Sequence, residues 1–132
     1  MDWNTFSHAY GPAGDLEPLF EQLKNSDDPA AALDQIGNRI CHQGSVTPAT
    51  APAVVRLIEI VGDDSLRVKN EIIDWLICIF LAEGGGDAAD IEGSRTAICE
   101  KIPVFEKLRN TTDQTTHSSI SKLMALVTAE RL

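Results

Sequence analysis

The sequence has no apolar run long enough to cross a membrane. It also shows no secretory signal. Its longest apolar stretch, residues 75–82, is far shorter than the roughly 20 residues that cross a bilayer. The first four residues, Met-Asp-Trp-Asn, have neither the basic nor the apolar region of a secretory signal. These absences predict a soluble, cytoplasmic protein that does not act at a membrane.

Basic residues are scarce. Lys and Arg number 11 against 20 Asp and Glu, which gives a formal net charge of −9. Binding to a phosphate backbone normally needs a basic stripe, so the charge argues against nucleic acid as a partner. An acidic surface can serve solubility alone or can favour encounter with a basic protein, and the charge by itself leaves both interpretations open.

Cysteines are also few, and their spacing is not that of a metal or disulfide framework. The chain has three, Cys41, Cys78 and Cys99, with no CxxC pair. Each has apolar neighbours in the sequence, and free Cys is among the most buried residue types. We therefore expect three reduced thiols in the core and no metal site.

Signatures of catalysis and of cofactor binding are missing. The only histidines, His8, His42 and His117, lie in no nucleophile elbow or HExxH motif. The glycines at 84–86 are not followed by the Lys-Ser/Thr of a phosphate loop, so they predict a flexible loop. His42 stands where a helix ends before a glycine, which predicts a C-cap. The sequence therefore predicts a protein that is not an enzyme and that binds no cofactor.

Helical periodicity is what the sequence does contain. Apolar residues recur at spacings of three and four almost throughout, and no strand is convincing, so the 132 residues predict one all-α domain. The predicted helices cover residues 16–24, from 29 onwards, from 47 or 50 onwards, 65–83, 90–110 and from 113 onwards. Pro103 should bend or split the fifth of these.

Aspartates stand at the predicted helix starts. A carboxylate there accepts hydrogen bonds from free backbone N–H groups and lies at the positive end of the helix dipole. The residues in this position are Asp15, Asp28, Asp64 and Asp113.

A pattern of proline, leucine and aspartate recurs three times. Each copy has a proline near a helix start, a leucine five residues later and then an acidic break before a second helix. The copies are Pro18, Leu23 and Asp27-Asp28; Pro52, Leu57 and Asp63-Asp64; and Pro103, Leu108 and Asp113. Helix pairs at such a period are typical of α-solenoids, so we predict a short α-solenoid of about three pairs plus an extra helix.

Two kinds of motif carry a resemblance to known proteins. The segments 51–57 and 102–108 resemble HEAT-type repeats. Asp2-Trp3, the stretch His8-Ala9-Tyr10-Gly11 and residues 42–52 resemble a group of small bacterial HEAT-like proteins, mostly without assigned activity. The resemblance implies paired helices and a protein partner. The residues before the first helix are expected to form an aromatic hook over the open end of the array.

The predicted solenoid would expose one helix of each pair on its concave side. The candidate partner-binding residues on that side are Asn38, His42, Arg67, Glu71 and Asp74. Asp27 and Asp63 would add an acidic ridge along the turns. A solvated face without a partner explains the same residues equally well.

These expectations favour a non-enzymatic binding protein over other classes. The leading hypothesis is an immunity-type protein that neutralises a basic bacterial toxin. It combines the small single domain, the net charge of −9 and the resemblance to small bacterial HEAT-like proteins, some of which are similar to partners of toxins. Opposite charges would accelerate association with a basic toxin. The alternatives are a generic HEAT-like adaptor or scaffold, and a subunit that oligomerises through the ends of its solenoid. A HEAT-like DNA glycosylase is disfavoured because the net charge is wrong and no basic cluster is visible.

Overall fold

In the computed structural model, residues 2–62, 67–83, 88–110 and 113–130 are described. They form seven α-helices: α1 (Leu16–Asn25), α2 (Pro29–Ile40), α3 (Thr50–Val61), α4 (Lys69–Leu81), α5 (Ala88–Cys99), α6 (Ile102–Arg109) and α7 (Gln114–Glu130). Short 3-10 turns lie at Trp3–Thr5 and Ala13–Asp15. The predicted all-α class is confirmed at this level. The glycine loop predicted at 84–86 lies outside the described residues.

Helices α1 and α2 follow the sequence pattern closely. The apolar side of α1 is buried as predicted, with Phe20 fully enclosed. Helix α2 opens on Asp28, whose carboxylate accepts a hydrogen bond from the Ala31 N–H at 3.2 Å, and Pro29 occupies the first helical position. The predicted cap at Asp28 is confirmed.

Of the two middle helices, α3 agrees with its prediction and α4 is shorter than predicted. Helix α3 begins at Thr50, the later of the two predicted starts. Helix α4 begins only at Lys69 and ends at Leu81. The residues at helical spacing that it buries include Ile72, Leu76, Ile79 and Phe80. The predicted cap at Asp64 lies outside the described residues.

Pro103 divides the fifth predicted helix into two. Helix α5 ends at Cys99, and α6 begins at Ile102 with the proline in its first turn. A proline has no N–H to continue the ladder, so the chain turns before it, with Lys101 N–H donating to the Ile98 carbonyl at 3.0 Å.

The last helix opens on a polar run. Asp113 accepts the Thr116 N–H at 2.8 Å, which confirms the predicted cap. The polar run that begins α7 packs well: Thr116 is buried, His117 Nδ1 lies 3.0 Å from the Arg109 carbonyl, and the Ser119 hydroxyl donates to the Asn70 side chain.

The expectation of no strands was wrong at two places. Ser7–His8 (β1) pairs antiparallel with Gly11–Pro12 (β2), and Cys41–His42 (β3) pairs with Ser45–Val46 (β4). Both are hairpins with two-residue loops, and Gln43 (φ 53°) and Gly44 (φ 79°) both adopt positive φ. Such short strands are too brief to show an alternating pattern.

The expectation of three core thiols was only partly right. Cys41 is buried, whereas Cys99 is half-buried and Cys78 is exposed. The apolar neighbours of Cys78 in the sequence point to other sides of α4, because successive helical residues are rotated by about 100°.

The buried apolar side chains of the described residues form one cluster. Helix α1 packs mainly against α2, α4 against α7, and α6 against α7. Helix α3 packs more extensively against α5 than against α4, which the repeat pattern did not predict. The predicted aromatic hook is half right: Trp3 is 5% exposed with its ring 5.5 Å from that of Phe20, but Tyr10 points to solvent.

Candidate functional site

Helices α2 and α4 approach each other closely at a glycine. A Cβ atom on Gly37 would lie only 2.5 Å from indole carbon Cδ2 of Trp75, so only glycine permits this packing. Cys41, the residue directly after α2, lies near Cys78 of α4. Burial raises the pKa of the Cys41 thiol, and the nearby Cys78 adds to this effect. The close approach joins the outer sides of α2 and α4 into one surface.

The outer side of α4 combines acidic and apolar groups. Glu71, Asp74, Cys78 and Leu81 recur at helical spacing and are all exposed, with Leu81 53% exposed. Trp75 is half-buried between this stripe and α2. Helix α2, which contacts Trp75 through Gly37, has exposed polar side chains of its own. We call this the α2–α4 surface: Asp34, Gln35, Asn38, Glu71, Asp74, Cys78 and Leu81.

The predicted partner-binding residues do not form one cluster. Asn38, Glu71 and Asp74 lie on the α2–α4 surface. Asp27 precedes α2 and His42 follows it, so they are separated by the length of a 12-residue helix, about 18 Å. Arg67 is exposed before the start of α4, and Asp63 lies outside the described residues.

The prediction that His42 is a helix cap is wrong. The terminal carbonyls of α2 are satisfied by other groups: the Arg39 carbonyl accepts the Ala9 N–H at 2.9 Å, and the Ile40 carbonyl accepts the Thr50 hydroxyl. His42 lies in β3 instead. Its Nδ1 is 3.2 Å from the Tyr10 hydroxyl.

The prediction for Asp15 is right in position only: Asp15 directly precedes α1, but its side chain does not cap the helix. A 3-10 turn runs directly into α1, and the Asp15 carboxylate makes no capping hydrogen bond. It instead bridges two distant residues, with Arg39 Nε at 2.9 Å and His8 Nε2 at 2.7 Å. Burial acts to raise the pKa of Asp15, but these two hydrogen bonds outweigh it and hold the pKa below its usual value.

His8 is held as a structural group. Its Nδ1 accepts the Tyr10 N–H at 3.0 Å, so in the neutral ring the proton is on Nε2, which faces Asp15. The side chain is only 2% exposed. Because both ring nitrogens are engaged, His8 fastens the first hairpin to α1 and α2.

Sequence reasoning missed this polar cluster of Tyr10, Arg39 and Asp15 with the two histidines. Its members are up to 34 residues apart in the numbering, from His8 to His42, so no local spacing links them. The available signal was the pair of short segments in which a histidine is followed within three residues by glycine. Gly11 (φ 130°) and Gly44 (φ 79°) both have positive φ, which marks tight turns.

The remaining polar sites hold helix ends. Arg95 donates to the carbonyls of Phe80 and Ala82 at 3.0 and 3.4 Å, and it contacts Glu130 at 3.4 Å. It therefore ties the end of α4 to those of α5 and α7. A depression of ≈ 330 Å³ lies beside it, lined in part by Glu92, Cys99 and Glu100.

Within the part of the chain that the structure describes, no three His, Cys, Asp or Glu side chains are arranged to hold a metal ion. Among the same residues, no helix is both long and apolar enough to cross a membrane. Comparisons with protein-family models, curated proteins and solved structures found no match to this chain.

Proposed function

We propose that the chain is a non-enzymatic protein-binding module, built as a short α-solenoid, that neutralises a basic bacterial toxin. The α2–α4 surface carries this proposal. It carries Glu71, Asp74, the exposed Leu81 and the half-buried Trp75 on one helix. Protein interfaces combine apolar and aromatic anchors with a charged rim in this way.

The directions of neighbouring helices support a solenoid. Arg56 of α3 pairs with Glu17 near the start of α1 at 3.0 Å. Further along the same two helices, Lys24 and Ile60 line one depression. This order is the one expected if α1 and α3 run in the same direction. The close approach of Gly37 to Trp75 and the proximity of Cys41, directly after α2, to Cys78 support the same direction for α2 and α4.

Helix α7 continues the second row. Near the helix starts, Ser119 of α7 bonds to Asn70 of α4. Near the helix ends, Arg95 contacts both Ala82 and Glu130. Helices α2, α4 and α7 are therefore interpreted as successive second helices of three pairs, with α5 as the extra helix.

The charge distribution supports a basic partner. The chain carries a net charge of −9, and Glu71 and Asp74 lie exposed on the α2–α4 surface. Complementary charge steers encounter and raises association rates. A fast inhibitor benefits from this effect because the toxin must be bound before it acts.

The engagement of the histidine rings supports a non-enzymatic role. His8 uses both ring nitrogens, His42 contacts Tyr10 through Nδ1, and His117 contacts the Arg109 carbonyl through Nδ1. In each case the ring joins segments of the fold to one another.

The test is affinity capture from the source organism at low salt, on columns carrying the wild-type chain or the double variant Glu71→Lys, Asp74→Lys. We expect a basic protein on the first column that is lost from the second. Expressed alone, that protein should arrest growth, and co-expression of the wild-type chain should restore it. Failure to find a protein that meets all three conditions contradicts the proposal. A retained protein that is harmless to cells favours an adaptor instead.

A further inference from the structure

The two hairpin loops lie side by side at one end of α2. The loop of the first hairpin presents Tyr10, and its Ala9 N–H donates to the Arg39 carbonyl at 2.9 Å. The second hairpin presents His42, whose ring meets that of Tyr10 edge to face with 5.4 Å between centroids. The two hairpins, each with a histidine followed closely by a glycine, therefore form one surface.

Tyr10 is both exposed and held in place. It is 60% exposed, the largest value among the large apolar and aromatic side chains of the described residues. Its N–H is bonded to His8, its hydroxyl lies 3.2 Å from His42 Nδ1, and Arg39 Cζ lies 5.7 Å from its ring centroid. A side chain fixed before binding loses little conformational entropy on association.

The charges around Tyr10 suit an incoming cation. The guanidinium of Arg39 is matched by the carboxylate of Asp15, at 2.9 Å. The Asp15 side chain is itself 46% exposed. The paired charges leave no excess positive charge to repel a cation, and the chain as a whole is strongly acidic.

We infer that Tyr10 forms a second contact point for the basic partner and receives a Lys or Arg side chain of that partner on the solvent-exposed side of the phenol ring. We call this the Tyr10 surface; it consists of Tyr10 with Arg39, Asp15 and His42 around it. Aromatic rings attract cations over their faces. Arg39 stacks over the ring already, and the solvent-exposed remainder of the ring is available to the partner. This inference rests on the proposed function and adds a second contact point, at the end of α2 where the two hairpins meet.

The Tyr10 ring contacts His42 and Arg39 only at the surface, and the hairpin does not depend on these contacts alone. The hairpin is fastened through His8, through backbone bonds and through the pairing of Asp15 with Arg39, none of which needs an aromatic ring at position 10. We therefore expect removal of the ring to weaken binding without unfolding the chain.

The probe is a short, fluorescently labelled arginine-rich peptide, titrated with the full chain at low salt. Tyr10→Phe keeps the ring and loses the hydroxyl, whereas Tyr10→Leu keeps apolar bulk and loses the aromatic face. We expect Tyr10→Leu to weaken binding about two- to fivefold and Tyr10→Phe to leave it nearly unchanged. Val55→Ala removes a different exposed apolar side chain, on α3, and should have no effect.

Two results overturn the inference: unchanged affinity in Tyr10→Leu, or equal losses in Tyr10→Leu and Tyr10→Phe, which would assign the effect to the hydroxyl. An unchanged Tm in thermal unfolding of each variant excludes a folding defect.

Binding of the captured toxin distinguishes failure of this inference from failure of the proposed function. If Tyr10→Leu binds the toxin normally while the Glu71 and Asp74 double variant does not, the inference fails and the proposed function stands. If no toxin is captured, the proposed function fails, and loss of peptide binding in Tyr10→Leu still supports a cation site.

Discussion

Substitution of Gly37 by alanine tests the packing that creates the α2–α4 surface. The new methyl group would overlap the indole of Trp75, with Cδ2 only 2.5 Å away. The indole is rigid and half-buried, so either the ring or the whole of α4 must move. Overpacking of this kind costs about 1–3 kcal/mol, whereas alanine's better helix propensity returns at most about 1 kcal/mol.

We therefore expect Gly37→Ala to lower the free energy of unfolding by about 1–2 kcal/mol. Chemical denaturation followed by Trp fluorescence measures this change, and Tm should fall by about 3–10 °C. Gly93→Ala on α5 is the matched control. Its methyl group would meet only the Ala51 Cβ, at 3.7 Å, so propensity should dominate and stability should rise. The reasoning is refuted if Gly37→Ala is as stabilising as Gly93→Ala.

Three further predictions concern caps, acid stability and thiols. Asp28→Ala should lower the free energy of unfolding by about 1 kcal/mol because it removes the cap of α2. The control Asp27→Ala removes no cap and should change it by less than about 0.5 kcal/mol. Equal losses for the two variants in denaturant titrations would argue against the cap. Because the pKa of Asp15 is lowered in the folded chain, its stabilisation is complete above the unfolded pKa and is lost as the pH falls through the folded value. Unfolding followed below about pH 4 should therefore show a weaker pH dependence in Asp15→Asn than in the wild type, and identical profiles would contradict this. Finally, Cys78 should react with a thiol reagent in the native chain well before the buried Cys41, and mass spectrometry that finds Cys41 modified first would show that the α2–α4 packing is wrong.

The sequence predicted local structure well where that structure depends on residues close together in the chain. The apolar spacing in α1 marks its buried side, and Pro103 marks the break between α5 and α6 because it cannot donate a backbone hydrogen bond. The caps at Asp28 and Asp113 follow from backbone groups within three residues. Each of these features depends only on near neighbours in the chain.

Features that depend on distant residues were missed. Asp15 looks like a cap from its neighbours, yet His8 and Arg39 take its carboxylate because the fold brings them within hydrogen-bonding distance. The closeness of Gly37 to Trp75 has no sequence signal beyond a lone glycine in a helix. The same holds for the candidate site: the acidic residues of α4 were predicted, but the position of Tyr10 beside His42 depends on a tertiary contact.

Hydrogen–deuterium exchange on the complex with the captured toxin tests the central claim most directly. We expect slowed exchange in two regions. The first is α2 around Asn38 together with α4 from Asp74 to Leu81. The second is the pair of hairpin loops, at Tyr10 and Gln43. Exchange in the exposed parts of α1 and α6 should not change. Protection confined to α1, α3 or α6, with α4 and both loops unaffected, would contradict the account.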